Sequence, residues 1–197
     1  YLRGIRLVQI PTTLLAQIDS SIGGKVGINH PLGKNLIGAF HQPQLVLTDP
    51  LVLQTLPVRE LRTGLMEAVK YGVIADPRLF TFMEKSVDRL LACQPEAILR
   101  MVRDCVSIKA RVVTEDERES GLRMILNFGH TLGHALEAVT DYARFKHGEA
   151  VGWGMIFAAE WACDLGLLAD RERERIVCLT KAFGLPKLPR LSASDLI

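Results

Sequence analysis

An excess of charge of either sign is lacking in this chain. Lysine and arginine number 24 against 22 acidic residues, a formal net charge of +2 over 197 residues. That balance argues against a nucleic-acid or membrane-surface role driven by bulk charge. Cysteine is also scarce. The four, Cys93, Cys105, Cys163 and Cys178, lie far apart and form neither a C-x-x-C pair nor a zinc-ribbon spacing. Cys105 and Cys163 fall in apolar helical patterns and read as core residues. Such usage fits a reducing, cytoplasmic setting. No signal-peptide pattern is visible, and no apolar run is long enough to span a bilayer. Internal repeats and low-complexity tracts are lacking too. The chain begins at Tyr1 and stops at Ile197, just after Ser192 and Ser194, which look like helix N-caps. The expectation is a piece of a longer protein.

What is present is a core-forming composition, with 48% of residues hydrophobic. Ile5–Ile10 and Gln44–Thr48 read as short buried strands, each bounded by proline. Between them lies a glycine- and lysine-rich stretch, in which Gly23-Gly24-Lys25 and Gly33-Lys34-Asn35 are expected to be loops. From Pro57 the pattern turns helical, with Pro57 suited to a first turn and Gly64 a weak point. The spacing predicts helices over residues 60–73, 95–117, 147–165 and 170–183, with another carrying the histidines after Arg123. The helix over 147–165 is apolar enough to be buried.

Three of the five histidines fall within eighteen residues: His130, His134 and His147. His130 and His134 are spaced to share one helix face. Neutral imidazole is a common metal ligand, and the alternative is a surface or satisfied core pair. The zinc-protease helix is excluded, because Thr131 stands where that motif places glutamate. A metal would need a carboxylate from elsewhere. Glu67, three residues before Lys70 on a largely apolar helix, is the natural candidate. The glycine–lysine loops suit an anion but are not Walker loops. Asp19 and Ile28 replace the first glycine, and Val26 and Asn35 follow the lysines. Lys109 and Arg123 would complete a cationic pocket for a phosphate or carboxylate.

The segments Ile10–Lys25, Gly33–Pro43, Glu67–Gly72, Asn127–His134 and His147–Val151 together resemble the 3-dehydroquinate synthase family, in the right order and over essentially the whole chain. The resemblance implies a mainly α fold. Residues 57–197 would be the all-helical metal- and substrate-binding C-terminal domain, its C-terminus truncated. Residues 1–56 would be the last strands and loops of an α/β NAD-binding domain, carrying substrate loops. It implies conversion of 3-deoxy-D-arabino-heptulosonate 7-phosphate to 3-dehydroquinate and phosphate in the shikimate pathway. NAD would be used and regenerated within each turnover, with zinc or cobalt as the divalent metal.

Carried over position by position, the resemblance makes Glu67, His130 and His147 the metal ligands and moves His134 to the substrate side. Lys25, Asn35, Lys70, Lys109, Arg123, Asn127 and His134 would form the substrate pocket. Thr12, Thr13, Asp19, Lys25, Lys34 and the run Val52, Leu53, Gln54 and Thr55 would contact the cofactor. Arg3 would help bind phosphate from a neighbouring subunit, since the family resemblance implies a homodimer. The glycine-rich dinucleotide fingerprint is missing from this chain, as is one lysine the family supplies further on. Rival readings are a related sugar-phosphate cyclase, a metal-dependent polyol dehydrogenase and an inactive fragment. Lys34-Asn35, Arg123 and His134 favour a carboxylated substrate, and the phosphate-directed lysines count against a polyol.

Overall fold

The computed structural model describes residues 5–30, 33–117 and 119–189, with the side chains of Asn29 and of residues 33–36 outside the description. Strands β1 (Val8–Gln9) and β4 (Leu45–Val46) pair in parallel, Val8 opposite Leu45. Parallel neighbours require a crossover connection. Here it carries a π-helical turn, Ala16–Ser20, and an antiparallel hairpin of β2 (Lys25–His30) and β3 (Gly33–Phe40). A 3-10 turn, Pro50–Thr55, then leads into the helices. These are α1 (Val58–Ile74), α2 (Pro77–Glu84), α3 (Val87–Leu91), α4 (Pro95–Glu115), α5 (His130–Val139), α6 (His147–Asp164) and α7 (Asp170–Ala182). Among the described residues after Pro57 there is no strand.

The predicted loops at Lys25 and Lys34 are strands instead. The alternation of Val26, Ile28, Ile37 and Ala39 suits a pleated pair better than a phosphate loop, and Gly27 faces Gly38 across the register. The two outer strands are present but not buried: Ile5 is 68% exposed and Val8 53%. Among the described residues their sheet has two strands and no layer over those side chains. Pro57 is the N-cap of α1 rather than its first residue. Helices α2 and α3 were not expected from the periodicity. Asp76 starts α2 by accepting hydrogen bonds from the backbone N–H of Arg78 at 2.8 Å and Leu79 at 3.3 Å, with Pro77 next.

α1 is buried on nearly every side from Leu61 to Gly72, because it runs through the middle of the helical body. Gly64 is not a weak point but a crossing point. A Cβ there would lie 2.6 Å from the Leu14 side chain and 2.8 Å from the Leu15 nitrogen. Gly148 does the same for α6, where a Cβ would come within 2.1 Å of the Thr63 carbonyl oxygen. Small residues at these positions let α6 and the 13–15 segment press onto α1. The core around them joins Leu65, Met66, Val69, Met83, Ile98, Cys105, Val151 and Met155. The second half of α6 departs from expectation. Phe157, Trp161 and Leu165 are exposed, and Cys163 is only half-buried, its thiol 3.5 Å from Asp170 Oδ1.

Candidate metal and substrate site

Three helices bring the candidate ligands together. Glu67 and Lys70 lie mid-way along α1, while His130 and His147 are the first residues of α5 and α6. Side chains at a helix start lean back past its N-terminus, which turns both imidazoles toward α1. Glu67 Oε1 lies 3.6 Å from His130 Nε2 and 3.4 Å from His147 Nε2. Around a tetrahedral zinc with bonds of about 2.0–2.2 Å, donors stand about 3.4 Å apart. Both carboxylate oxygens of Glu67 are fully buried and receive no hydrogen bond of good geometry. A buried carboxylate left open toward two imidazoles fits a divalent cation.

The electrostatics of Glu67 and His130 agree. Burial alone would raise the Glu67 carboxyl, but the Lys70 ammonium, 2.5 Å from Oε2, and the two imidazoles hold it well below the usual carboxylate range. Burial lowers His130 against the pull of Glu67, which keeps its ring neutral, the form that ligates. Its Nδ1 is 3.2 Å from the Phe128 carbonyl oxygen. Burial would also lower His147, yet Glu137 and Glu67 on its two sides raise it to about 9.

A cleft of about 740 Å3 opens over this cluster, of a size that suits a small ligand. Lys25, Lys109, Arg123, His134 and Asp19 line it together with His130 and His147. Burial lowers the Lys109 pKa, against the pull of Asp19, to which Lys109 donates at both the carboxylate and the carbonyl oxygen. Burial would raise Asp19, but Lys109 and Lys70 hold it low. Tyr71 also donates to Asp19 Oδ1, at 3.2 Å.

Two expectations for the cationic pocket are corrected. Lys70 does not line the cleft. It lies beneath, 1% exposed, because its ammonium is drawn to Glu67 and, at 4.0 Å, to Asp19. Arg123 does border the cleft, but its guanidinium is not turned to solvent or a carboxylate. It is buried and donates to the carbonyl oxygens of Glu117 at 2.6 Å and Gly23 at 3.1 Å. Asn127 is exposed and donates to Glu119 Oε1 at 3.1 Å, while Lys25 pairs with Glu119 Oε2.

Of the cofactor positions, Asp19 and Lys25 line this cleft, while Thr12, Thr13 and the Val52–Thr55 run lie outside its lining. The segment holding Thr12 and Thr13 and the turn from Pro50 to Thr55 are tied together by Gln17, whose Nε2 donates to Pro11 O at 3.4 Å and Asp49 O at 2.9 Å. Thr12, Val52, Gln54 and Thr55 are exposed there, and Thr13 Oγ1 accepts from the Ala16 N–H at 3.2 Å. Leu53 differs from its neighbours: its side chain is 1% exposed and belongs to the core, leaving only its backbone for a ligand. Among the described residues no glycine-rich turn leads from a strand into a helix N-terminus, so NAD is fitted only in part. Arg3 and the side chains of Lys34 and Asn35 lie outside the described residues.

Sequence reasoning missed two carboxylates. Glu119, which holds Lys25 and Asn127, sits in the run Glu115–Glu119 and looks like any solvated charge. Glu137, with Oε2 at 3.3 Å from His147 Nδ1, had a signal. It follows His134 by three residues on an apolar helix and so shares its face.

A carboxylate and two imidazoles converging under a basic cleft define a candidate mononuclear metal centre of the open type. The chain belongs to the 3-dehydroquinate synthase family: the model of that family's C-terminal part matches residues 64–197, and that of its N-terminal part residues 1–63. A 3-dehydroquinate synthase of Desulforamulus reducens is 54% identical over 199 residues, covering 100% of this chain and 55% of the relative. One of Citrifermentans bemidjiense is 57% identical over 186 residues, covering 94% and 51%. The chain spans about half the length of the curated relatives it matches. Among solved structures, ValA (2-epi-5-epi-valiolone synthase) from Streptomyces hygroscopicus, with NAD+ and Zn2+ bound, superposes with a TM-score of 0.91 at 34% identity, over 100% of this chain and 55% of that one. 2-Deoxy-scyllo-inosose synthase, complexed with carbaglucose-6-phosphate, NAD+ and Co2+, gives 0.90 at 31%, over 100% and 54%.

Proposed function

We propose that this chain carries the metal- and substrate-binding part of a 3-dehydroquinate synthase. That enzyme is a carbon–oxygen lyase releasing phosphate from 3-deoxy-D-arabino-heptulosonate 7-phosphate to form 3-dehydroquinate. The observation that carries the reading is the convergence of Glu67, His130 and His147 beneath a cleft lined by Lys25, Lys109 and Arg123. Glu67, His130 and His147 would hold zinc or cobalt, which supplies Lewis-acid polarisation when bound, as NAD supplies a hydride acceptor. Lys70 offsets the charge of Glu67 from below. Lys109, fixed by Asp19, presents a cation at the cleft wall for an anionic substrate. Lys25 and Asn127 would bind substrate by exchanging Glu119 for it, and His134 is placed to move a proton or orient a hydroxyl. Arg123 shapes the wall by tying the hairpin base to the 117–123 segment. Asn35 is assigned to the substrate, and Lys34, Thr12, Thr13, Asp19, Lys25 and Val52–Thr55 to NAD, by family resemblance.

The related-cyclase reading has a specific support, since both solved relatives described above are such cyclases. The higher identity to dehydroquinate synthases, 54% against 34%, favours the carboxylated substrate. The division into residues 1–56 and 57–197, a cytoplasmic location and a homodimer belong to the same proposal. Among the described residues, no helix is long and apolar enough to cross a membrane. The test is phosphate release with NAD and metal, run on this chain and on a polypeptide of the relatives' full length. The longer polypeptide is expected to turn over the carboxylated sugar phosphate, and this chain alone to bind metal without turnover. Turnover of only a sugar phosphate lacking the carboxylate would favour the related cyclases.

A further inference from the structure

His147 is held from both sides. Its Nε2 faces Glu67, and its Nδ1 stands 3.3 Å from Oε2 of Glu137 on α5. Glu137 follows His130 by seven residues, two helical turns, so both lie on one face of α5. Glu137 is buried, 3% exposed. Burying a carboxylate there is costly unless it is paired. The other candidate histidine is oriented differently: His130 Nδ1 meets a backbone carbonyl, that of Phe128.

We propose that Glu137 is a positioning residue for the metal centre, fixing His147 so that its Nε2 lone pair points at the ion. This rests on the metal site proposed above. A carboxylate accepting from the Nδ1 proton fixes the tautomer and the ring plane and makes Nε2 a better donor. Helix α5 thus supplies one ligand, His130, and orients the other. Of the two orienting contacts, only this one can be removed by changing a side chain.

The test compares Glu137→Ala and Glu137→Gln with the parent chain. Affinity for Zn2+ is read by chelator competition, and site geometry by the absorption bands of bound Co2+. Loss of the orienting group weakens metal binding about 10–100-fold in comparable sites, and that loss is expected for Glu137→Ala. Glu137→Gln keeps an oxygen for the Nδ1 proton, so it should restore the Co2+ bands and part of the affinity. Its metal-free thermal midpoint should stay close to the parent's. Unchanged affinity in both variants overturns the proposal. So does a second metal equivalent in the parent that disappears in His134→Ala, because Glu137 would then be a ligand, with His134 and His147, of another ion. A parent chain that binds no metal overturns the metal reading itself, and this proposal with it.

Discussion

Arg59 grips both carboxylate oxygens of Glu149, Nε to Oε1 and Nη2 to Oε2, each at 2.7 Å. This fork joins the first turn of α1 to the first turn of α6, where His147 stands. Glu149 also accepts from the Lys146 N–H at 2.8 Å, closing the helix start. The relative placement of the helices carrying Glu67 and His147 is therefore fixed by a bidentate contact outside the cleft.

Replacing Glu149 with Gln should lower stability by about 0.2–1 kcal/mol, the loss of a screened, half-exposed charge pair, because a glutamine oxygen can still accept from the Lys146 N–H. Burial raises the Glu149 carboxyl, but Arg59 and the Lys146 N–H outweigh it, so its folded pKa lies below the ordinary 4.5. A depressed carboxyl contributes stability above the unfolded pKa and loses it as pH falls through the folded one. The gap in thermal midpoint between parent and variant should be full at neutral pH, shrink as pH falls below 4.5 and close once it has passed the lower folded pKa. A gap that persists unchanged in acid would show that charge is not its source.

Glu67→Gln should abolish metal binding and also destabilise the metal-free chain, because Lys70 keeps only the more distant Asp19. Stranding one member of a buried pair costs about 3–5 kcal/mol. The double variant Glu67→Gln with Lys70→Met should recover most of that stability without recovering metal. Denaturant titration and metal analysis on the same samples separate the two effects.

Arg123→Ala should leave metal content unchanged while lowering stability by roughly 1–3 kcal/mol, since the Gly23 carbonyl oxygen, in a buried contact, and the Glu117 carbonyl oxygen, in a partly buried one, lose a charged donor. Hydrogen exchange should rise at the start of the β2–β3 hairpin and in the 117–123 segment. A variant that keeps parental stability would put Arg123's role in substrate binding alone.

Stripping the metal with a chelator should lower the thermal midpoint, with a dependence on free metal that follows mass action. At one hundred times the dissociation constant the bound ion contributes about 2.7 kcal/mol. A midpoint insensitive to Zn2+ would mean that the ion does not bind the folded chain selectively.

Much of this was legible in the sequence, for definite reasons. The long helices announced themselves by period, as in Ile98, Met101, Cys105 and Val112 of α4. Glu67 was conspicuous as a charge on an apolar helix. The hairpin was hidden because glycine and lysine near Lys25 and Lys34 mimic a loop. Burial of Lys70 and Arg123 was hidden because a cation's depth depends on partners distant in sequence: Asp19 for the one, the Gly23 and Glu117 carbonyls for the other. Glu119 carried no sign at all.

The three candidate ligands come from three different helices, at positions 67, 130 and 147. No pair of them shares a helix, so secondary structure alone cannot assemble the site. A collapsed state with its helices intact but its packing loose would keep its far-ultraviolet circular dichroism and yet lack the donor triangle. Co2+ absorption thus serves as an optical clock for native packing. During refolding it should appear with the slowest cooperative phase, after helical signal has already returned, and vanish first when the chain loosens.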